Sequence, residues 1–168
     1  MNARHALFLL LVLVAVAQVA YYTWFGQLPE VVASHFDGQG NADGFMSRTL
    51  FLGIHLGAVG LVSLIFLALP LLLTRMPPAM INLPHKDYWL CPERKKATFD
   101  HVTRQFMWFG SATLALLVVV MEAAIRANLP GGGGRLNPSA MWCALGAYAA
   151  FTVLWVVLLI TRYARVPG

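Results

Sequence analysis

The chain has 168 residues, of which 59% are apolar and 11% are charged, and its mean hydropathy is +0.67. Soluble domains carry about 45–50% apolar and about 25% charged residues, so this composition excludes an ordinary water-soluble enzyme and a disordered chain. Two cysteines in 168 residues also exclude a disulfide scaffold. The composition predicts a single membrane domain covering residues 1–168.

Four long apolar segments are predicted to cross a bilayer. The first, residues 6–25, has 20 residues without a charge, enough to cross a hydrocarbon core of about 30 Å. The others cover residues 49–74, 105–127 and 139–161. Because lipid cannot satisfy backbone hydrogen bonds, all four are expected to be helices. The predicted fold is an all-α integral membrane protein, a four-helix transmembrane bundle.

Lys and Arg residues predict the orientation of this bundle. Nine of them lie near the termini or in the loop 75–104, and three lie towards the opposite side. Short cytoplasmic loops carry the excess of positive charge. We therefore predict that both termini and the loop 75–104 are cytoplasmic, and that the loops 26–48 and 128–138 face outwards. A secretory signal cleaved after Ala17 is the alternative for the first span, but the apolar run continues through Tyr22.

The first outer loop, residues 26–48, is rich in turn signals. Asp37-Gly38, Gly40-Asn41 and Asp43-Gly44 follow one another within eight residues. Glycine supplies positive φ, and Asp or Asn side chains bond their own backbone in turns. We predict a short folded outer loop, with Ser47 as the N-cap of the second span.

The same loop carries a set of residues that is found in a known family: Leu28-Pro29, Val31, Ser34-His35-Phe36, Gly40, Asp43-Gly44 and Ser47-Arg48. They resemble the signature of the domain of unknown function 1648 (DUF1648), which forms the N-terminal part of SdpI-type immunity membrane proteins of bacteria. The resemblance implies a multi-pass protein of the bacterial cytoplasmic (inner) membrane, protection against a secreted peptide toxin or capture of a regulator, and no catalytic residue. A second stretch, residues 82–94, is similar to some stand-alone members.

Several polar residues are predicted to converge at the outer side and to bind a ligand or partner. An ionisable group inside a span indicates function, since a charge at mid-depth costs at least ~2–3 kcal/mol. Simpler interpretations remain open: Glu122 and Arg126 can pair at i, i+4, and His55 can hydrogen-bond the outer loop. The predicted site residues are His35, Asp37, Asp43, Arg48, His55, Glu122 and Arg126, with Gln18 nearby.

A metal site is not expected, although His35, Asp37 and Asp43 are weak candidates. The spacing does not match a calcium-binding loop, and the aspartates are better explained as turn formers. We expect no cofactor. No sequence motif of a nucleophile or a phosphate-binding loop is present, which favours a non-enzymatic protein.

The cytoplasmic loop is predicted to dock lipid or a partner through Trp89, Arg94, Lys95 and Lys96. Basic residues beside a membrane helix bind anionic lipid at ~1 kcal/mol each. The net charge of +5 is explained by this cytoplasmic bias, so no nucleic-acid partner is expected. Pro92 is predicted to occupy the first position of a helix that continues into the third span.

Three functions are compatible with these features. The first is a non-enzymatic inner-membrane protein whose outer loop recognises an extracytoplasmic peptide or small ligand. The second is an accessory subunit of a larger membrane complex, or a homo-oligomer, because Gly53 and Gly57 form a GxxxG pattern that allows close helix contact. The third is a membrane enzyme or ion-coupled carrier with a polar site near the outer face. We favour the first.

Overall fold

The structure is a computed structural model and describes residues 3–24 and 26–166. These residues form helices joined by loops, with one β-hairpin between the first two long helices. A 3₁₀ turn, Pro78–Met80, precedes the shortest helix. The elements are α1 (Ala3–Trp24), β1 (Val31–Phe36), β2 (Ala42–Ser47), α2 (Arg48–Arg75), α3 (Lys86–Trp89), α4 (Pro92–Asn128) and α5 (Pro138–Tyr163).

Three helices, α2, α4 and α5, are each long and apolar enough to cross a membrane. Within α1, the segment Leu11–Thr23 is a further, shorter apolar stretch. The mostly helical architecture agrees with the predicted class. The predicted third span, 105–127, is the second part of a single helix that begins at Pro92, as expected for proline at the first helical position.

Helix α4 is the centre of the packing, because it contacts α1, α2 and α5. Leu114 of α4 is fully buried among apolar side chains of α1 and α2. Gly110 lets α2 approach closely, since a Cβ at this position would lie 2.7 Å from Cγ of Phe66. Helix α5 packs mainly on α4, and Tyr163 is its buried residue. The core therefore lies between α1, α2 and α4, with α5 at the periphery.

The segment 26–48 is folded, but the all-α prediction missed its strands. β1 and β2 pair antiparallel, with Val31 opposite Ser47 and Phe36 opposite Ala42. Two irregularities in register, on either side of His35, interrupt the ladder. Such bulges break the two-residue alternation by which strands are identified in a sequence. The N-cap prediction is confirmed: the Ser47 hydroxyl accepts a hydrogen bond from the Leu50 amide at 3.3 Å.

The molecule has two ends, which are named here by their elements. The hairpin end holds β1, β2 and the segment between α4 and α5. The α3 end holds α3, the beginning of α4 and the end of α5.

Candidate functional site

The turn of the hairpin is built around the carboxylate of Asp37. One oxygen accepts hydrogen bonds from the amides of Gln39 and Asn41, both at 2.8 Å. The other accepts from Asn41 Nδ2 at 2.9 Å. These bonds, with that of the Asn41 side chain the largest cause, hold the pKa of the Asp37 carboxyl below its ordinary value. Asp37 therefore shapes the turn, as the turn-forming interpretation predicted.

His35 and Asp43 face each other across the hairpin. His35 Nδ1 lies 2.5 Å from Asp43 Oδ1, and both side chains are exposed. Gly44 is the cross-strand partner of His35, and a Cβ there would lie 2.8 Å from Cβ of His35. Within residues 3–24 and 26–166, no group of three metal-ligating side chains comes together. The predicted residues His35, Asp37 and Asp43 thus share the hairpin but do not form a three-ligand centre.

Asn128 fixes the hairpin to the end of α4, and its role was not predicted. Its Oδ1 accepts a hydrogen bond from the Ala33 amide at 2.7 Å, and its Nδ2 donates to the Ala33 carbonyl at 2.8 Å. The same Nδ2 donates to the Ala124 carbonyl at 2.9 Å. An asparagine at a helix end is typical of a helix cap, so no local pattern indicates a partner 95 positions earlier.

Arg48 closes the base of the hairpin. Its Nη1 donates to the Leu28 carbonyl at 2.8 Å, and its amide donates to the Glu30 carbonyl at 2.8 Å. The structure thus uses this predicted binding residue to hold the segment that leads into β1.

The segment between α4 and α5 holds the turn from the other side. The Leu136 amide donates to the Gly40 carbonyl at 2.9 Å, and Trp142 Nε1 donates to the Gly38 carbonyl at 3.2 Å. Gly40 has a φ of 80°, and a Cβ at this position would lie 2.3 Å from the Leu136 oxygen. Only glycine fits there, because both the backbone conformation and the close approach exclude a side chain.

A cleft of about 240 Å³ lies between the hairpin turn and the beginning of α5. The indole of Trp142 is part of its wall and is 61% exposed. Ligand pockets for drug-sized molecules run from about 300 Å³ upwards, so this cleft suits a small ligand or one or two side chains of a peptide. The apolar lining comes from Phe36, Leu136, Met141, Trp142 and Leu145.

The remaining predicted residues lie on the helices α2 and α4. Glu122 accepts a hydrogen bond from Arg126 Nε at 2.7 Å, which confirms the i, i+4 pair, and another from Gln18 Nε2 at 2.8 Å. His55 is 2% exposed, and its Nε2 lies 3.3 Å from the Ala15 carbonyl. His55 therefore bonds α1, and the expectation that it bonds the outer loop was wrong. Among the described residues, no hydrogen bond or ion pair joins His55 or Glu122 to the His35–Asp43 pair.

At the α3 end, Trp89 is packed inside the protein. It is 6% exposed, its Nε1 donates to the Tyr163 carbonyl at 3.3 Å, and its carbonyl accepts from Thr98 Oγ1 at 2.8 Å. Trp89 is therefore not an exposed docking residue, because the end of α5 covers it. Arg94 and Lys96 are exposed, and Lys96 pairs with Asp100 at 2.7 Å.

Three membrane-length helices and a further apolar helix, joined to a folded hairpin, define an integral membrane protein. Residues 8–60 match the family described as Domain of unknown function (DUF1648), which confirms the resemblance to DUF1648 over that part of the chain. The match runs from α1 through the hairpin into α2. Neither the curated proteins nor the solved structures contain a match to this chain.

Proposed function

We propose that this chain is a non-enzymatic inner-membrane protein whose hairpin recognises an extracytoplasmic peptide or small ligand. The observation that carries the proposal is the cleft between the hairpin turn and α5. Its walls are held in place by hydrogen bonds from Asn128, Leu136 and Trp142, so the cleft is formed before any ligand arrives. Preformed sites avoid the entropy cost of ordering loops on binding.

The chemistry of this cleft favours an apolar group on the ligand. Phe36, Met141 and Leu145 offer apolar surface, and tryptophan is among the residues that contribute most at binding interfaces. The exposed pair of His35 and Asp43 on the same hairpin offers polar contacts beside it. A secreted peptide toxin is the form of ligand that the SdpI-type resemblance implies.

Photo-crosslinking in native membranes tests recognition directly. A diazirine amino acid at Met141 is expected to capture a peptide or small molecule from the extracytoplasmic side, and Trp142→Ala is expected to abolish that adduct. The matched control is the same probe at Val153, which is 64% exposed on α5 away from the cleft. If the probe at Met141 yields only the lipid adducts obtained at Val153, the cleft is not a recognition site.

The proposal also requires four crossings, with both termini inside and the hairpin outside. The positive charges in the loop 75–104 support this orientation. In a Cys91→Ser/Cys143→Ser background, single cysteines at the exposed positions Gln27 and Asn82 are compared. A membrane-impermeant maleimide added to spheroplasts is expected to label Gln27→Cys and to label Asn82→Cys only after lysis. The reverse pattern would place the hairpin in the cytoplasm and overturn the proposal.

An accessory subunit or homo-oligomer is the second candidate, and a specific feature of α2 favours it. Gly53, Gly57 and Gly60 lie on exposed surface, and a Cβ at any of them would meet no atom within 4 Å. Small residues let membrane helices approach closely. Native mass spectrometry from the host membrane is expected to show an assembly that Gly57→Leu disrupts and the control Ile54→Leu preserves. A bare monomer in both cases excludes this alternative.

A further inference from the structure

A second, smaller cleft lies at the α3 end, between the beginning of α4 and the end of α5. Its volume is about 90 Å³. Trp89, Thr98 and Tyr163 form a buried floor, and Arg94 and Arg162 stand beside it. Since a water molecule occupies about 30 Å³ in the liquid, the cleft has room for about three waters, close to the size of one phosphate group.

The two arginines place two positive charges in the lining of this cleft. The Arg94 guanidinium carbon lies 4.0 Å from the centre of the Tyr88 ring, and that of Arg162 lies 5.5 Å from the Trp89 ring. Within the described ranges, neither arginine forms an ion pair with a carboxylate, and no carboxylate lines the cleft. An anion placed there meets two cations in the lining, while the carboxylate of Glu93, which interacts with Arg94, lies outside the lining.

The ring contacts also orient the guanidinium groups. A guanidinium stacked on an aromatic face keeps its N–H donors at its edge, where they match the geometry of phosphate oxygens. Arg94 uses one donor towards Cys91 Sγ at 3.4 Å, out of the five that a guanidinium carries. In contrast, the Trp89 indole N–H and the Thr98 hydroxyl both donate within the fold. Ligand binding in this cleft therefore depends on the two arginines.

We propose that this cleft binds the phosphate group of an anionic membrane lipid. Arg162 lies at the end of the apolar helix α5, over the ring of Trp89. Trp89 packs edge to face on Tyr88 and Tyr163, and such aromatic residues are typical of the membrane–water interface. The cleft thus lies at the depth of lipid headgroups, which favours a lipid over phosphate from solution. The proposal is independent of what the hairpin recognises.

Native mass spectrometry of the purified full chain in neutral detergent tests this site. Phosphatidylglycerol and phosphatidylcholine are titrated separately, and inorganic phosphate is added in a third arm. One phosphatidylglycerol is expected to bind at least about tenfold more tightly than phosphatidylcholine, since each arginine contributes through charge. The double variant Arg94→Gln/Arg162→Gln is expected to lose this preference. The matched control, Arg75→Gln/Arg165→Gln, removes two exposed charges outside the cleft and is expected to keep it.

The outcomes separate the alternatives. Equal binding of both lipids by the native chain, or an unchanged preference in the cleft variant, overturns the proposal. If inorganic phosphate displaces phosphatidylglycerol at equal concentration, the anion comes from solution and the assignment to lipid is wrong. Arg94→Lys/Arg162→Lys keeps both charges, and its binding is measured in case the glutamine variant does not fold. A weaker preference in this folded lysine variant, through loss of bidentate geometry, would support the site, whereas an unchanged preference would show that the oriented guanidinium groups do not hold the phosphate and would overturn the proposal.

Discussion

Replacing Asn128 by alanine is expected to release the hairpin from α4. The change removes two hydrogen bonds to the backbone of Ala33, a residue that is 3% exposed. Each buried group left without a partner costs about 1–3 kcal/mol, so the two groups together weaken the attachment by about 2–6 kcal/mol. The free energy of opening the hairpin should fall by this amount.

Hydrogen–deuterium exchange of the protein in lipid nanodiscs measures this free energy. At 1.4 kcal/mol per factor of ten, the Ala33 amide and its neighbours in β1 should exchange roughly 30- to 20,000-fold faster in Asn128→Ala. The control Asn82→Ala changes an exposed asparagine in the loop at the other end and should leave β1 unaffected. A folded Asn128→Ala protein whose β1 amides exchange within about threefold of the native rate would refute the reasoning.

Three further predictions concern the turn and the α3 end. Gly40→Ala should lower the melting temperature by about 4–8 °C more than Gly133→Ala, because both positions have positive φ but only the former meets a backbone oxygen. The pKa of the Asp37 carboxyl is lower in the folded protein than in the unfolded chain. Its stabilising effect should therefore be complete above the pKa of the unfolded state and should be lost as the pH falls through the folded pKa. Thermal melts of Asp37→Ala should lack this acid-dependent loss. Trp89→Phe should cost about 1 kcal/mol by removing the bond to the Tyr163 carbonyl, and proteolysis near the end of α5 should become faster.

The helices could be predicted because each one is specified locally. Apolar length identifies α2, α4 and α5 without any knowledge of their partners. Ser47 and Pro92 mark the starts of α2 and α4, because N-caps and first-position prolines act within a single helical turn. The pairing of Glu122 with Arg126 likewise follows from spacing along one helix face.

The site could be predicted only in part, because its contacts join distant segments. His35, Asp37 and Asp43 were identified from the loop itself, but Asn128 and Trp142 reach the hairpin from 95 and 104 positions away. Trp89 was expected at an exposed interface because nothing near it in sequence shows that Tyr163, 74 positions later, covers it. Local patterns identify elements, whereas these contacts depend on how the helices pack.

The attachment of the hairpin to Asn128 and Leu136 also sets an order of events during synthesis. The residues of β1 leave the ribosome well before their partners, since Ala33 and Asn128 are separated by 95 positions. At 5–20 residues per second, the interval is about 5–20 s. Throughout this time the hairpin lacks both of its attachments, and the cleft lacks the wall supplied by α5. The cleft between the hairpin turn and α5 therefore takes shape only after α4 and the start of α5 have been synthesised.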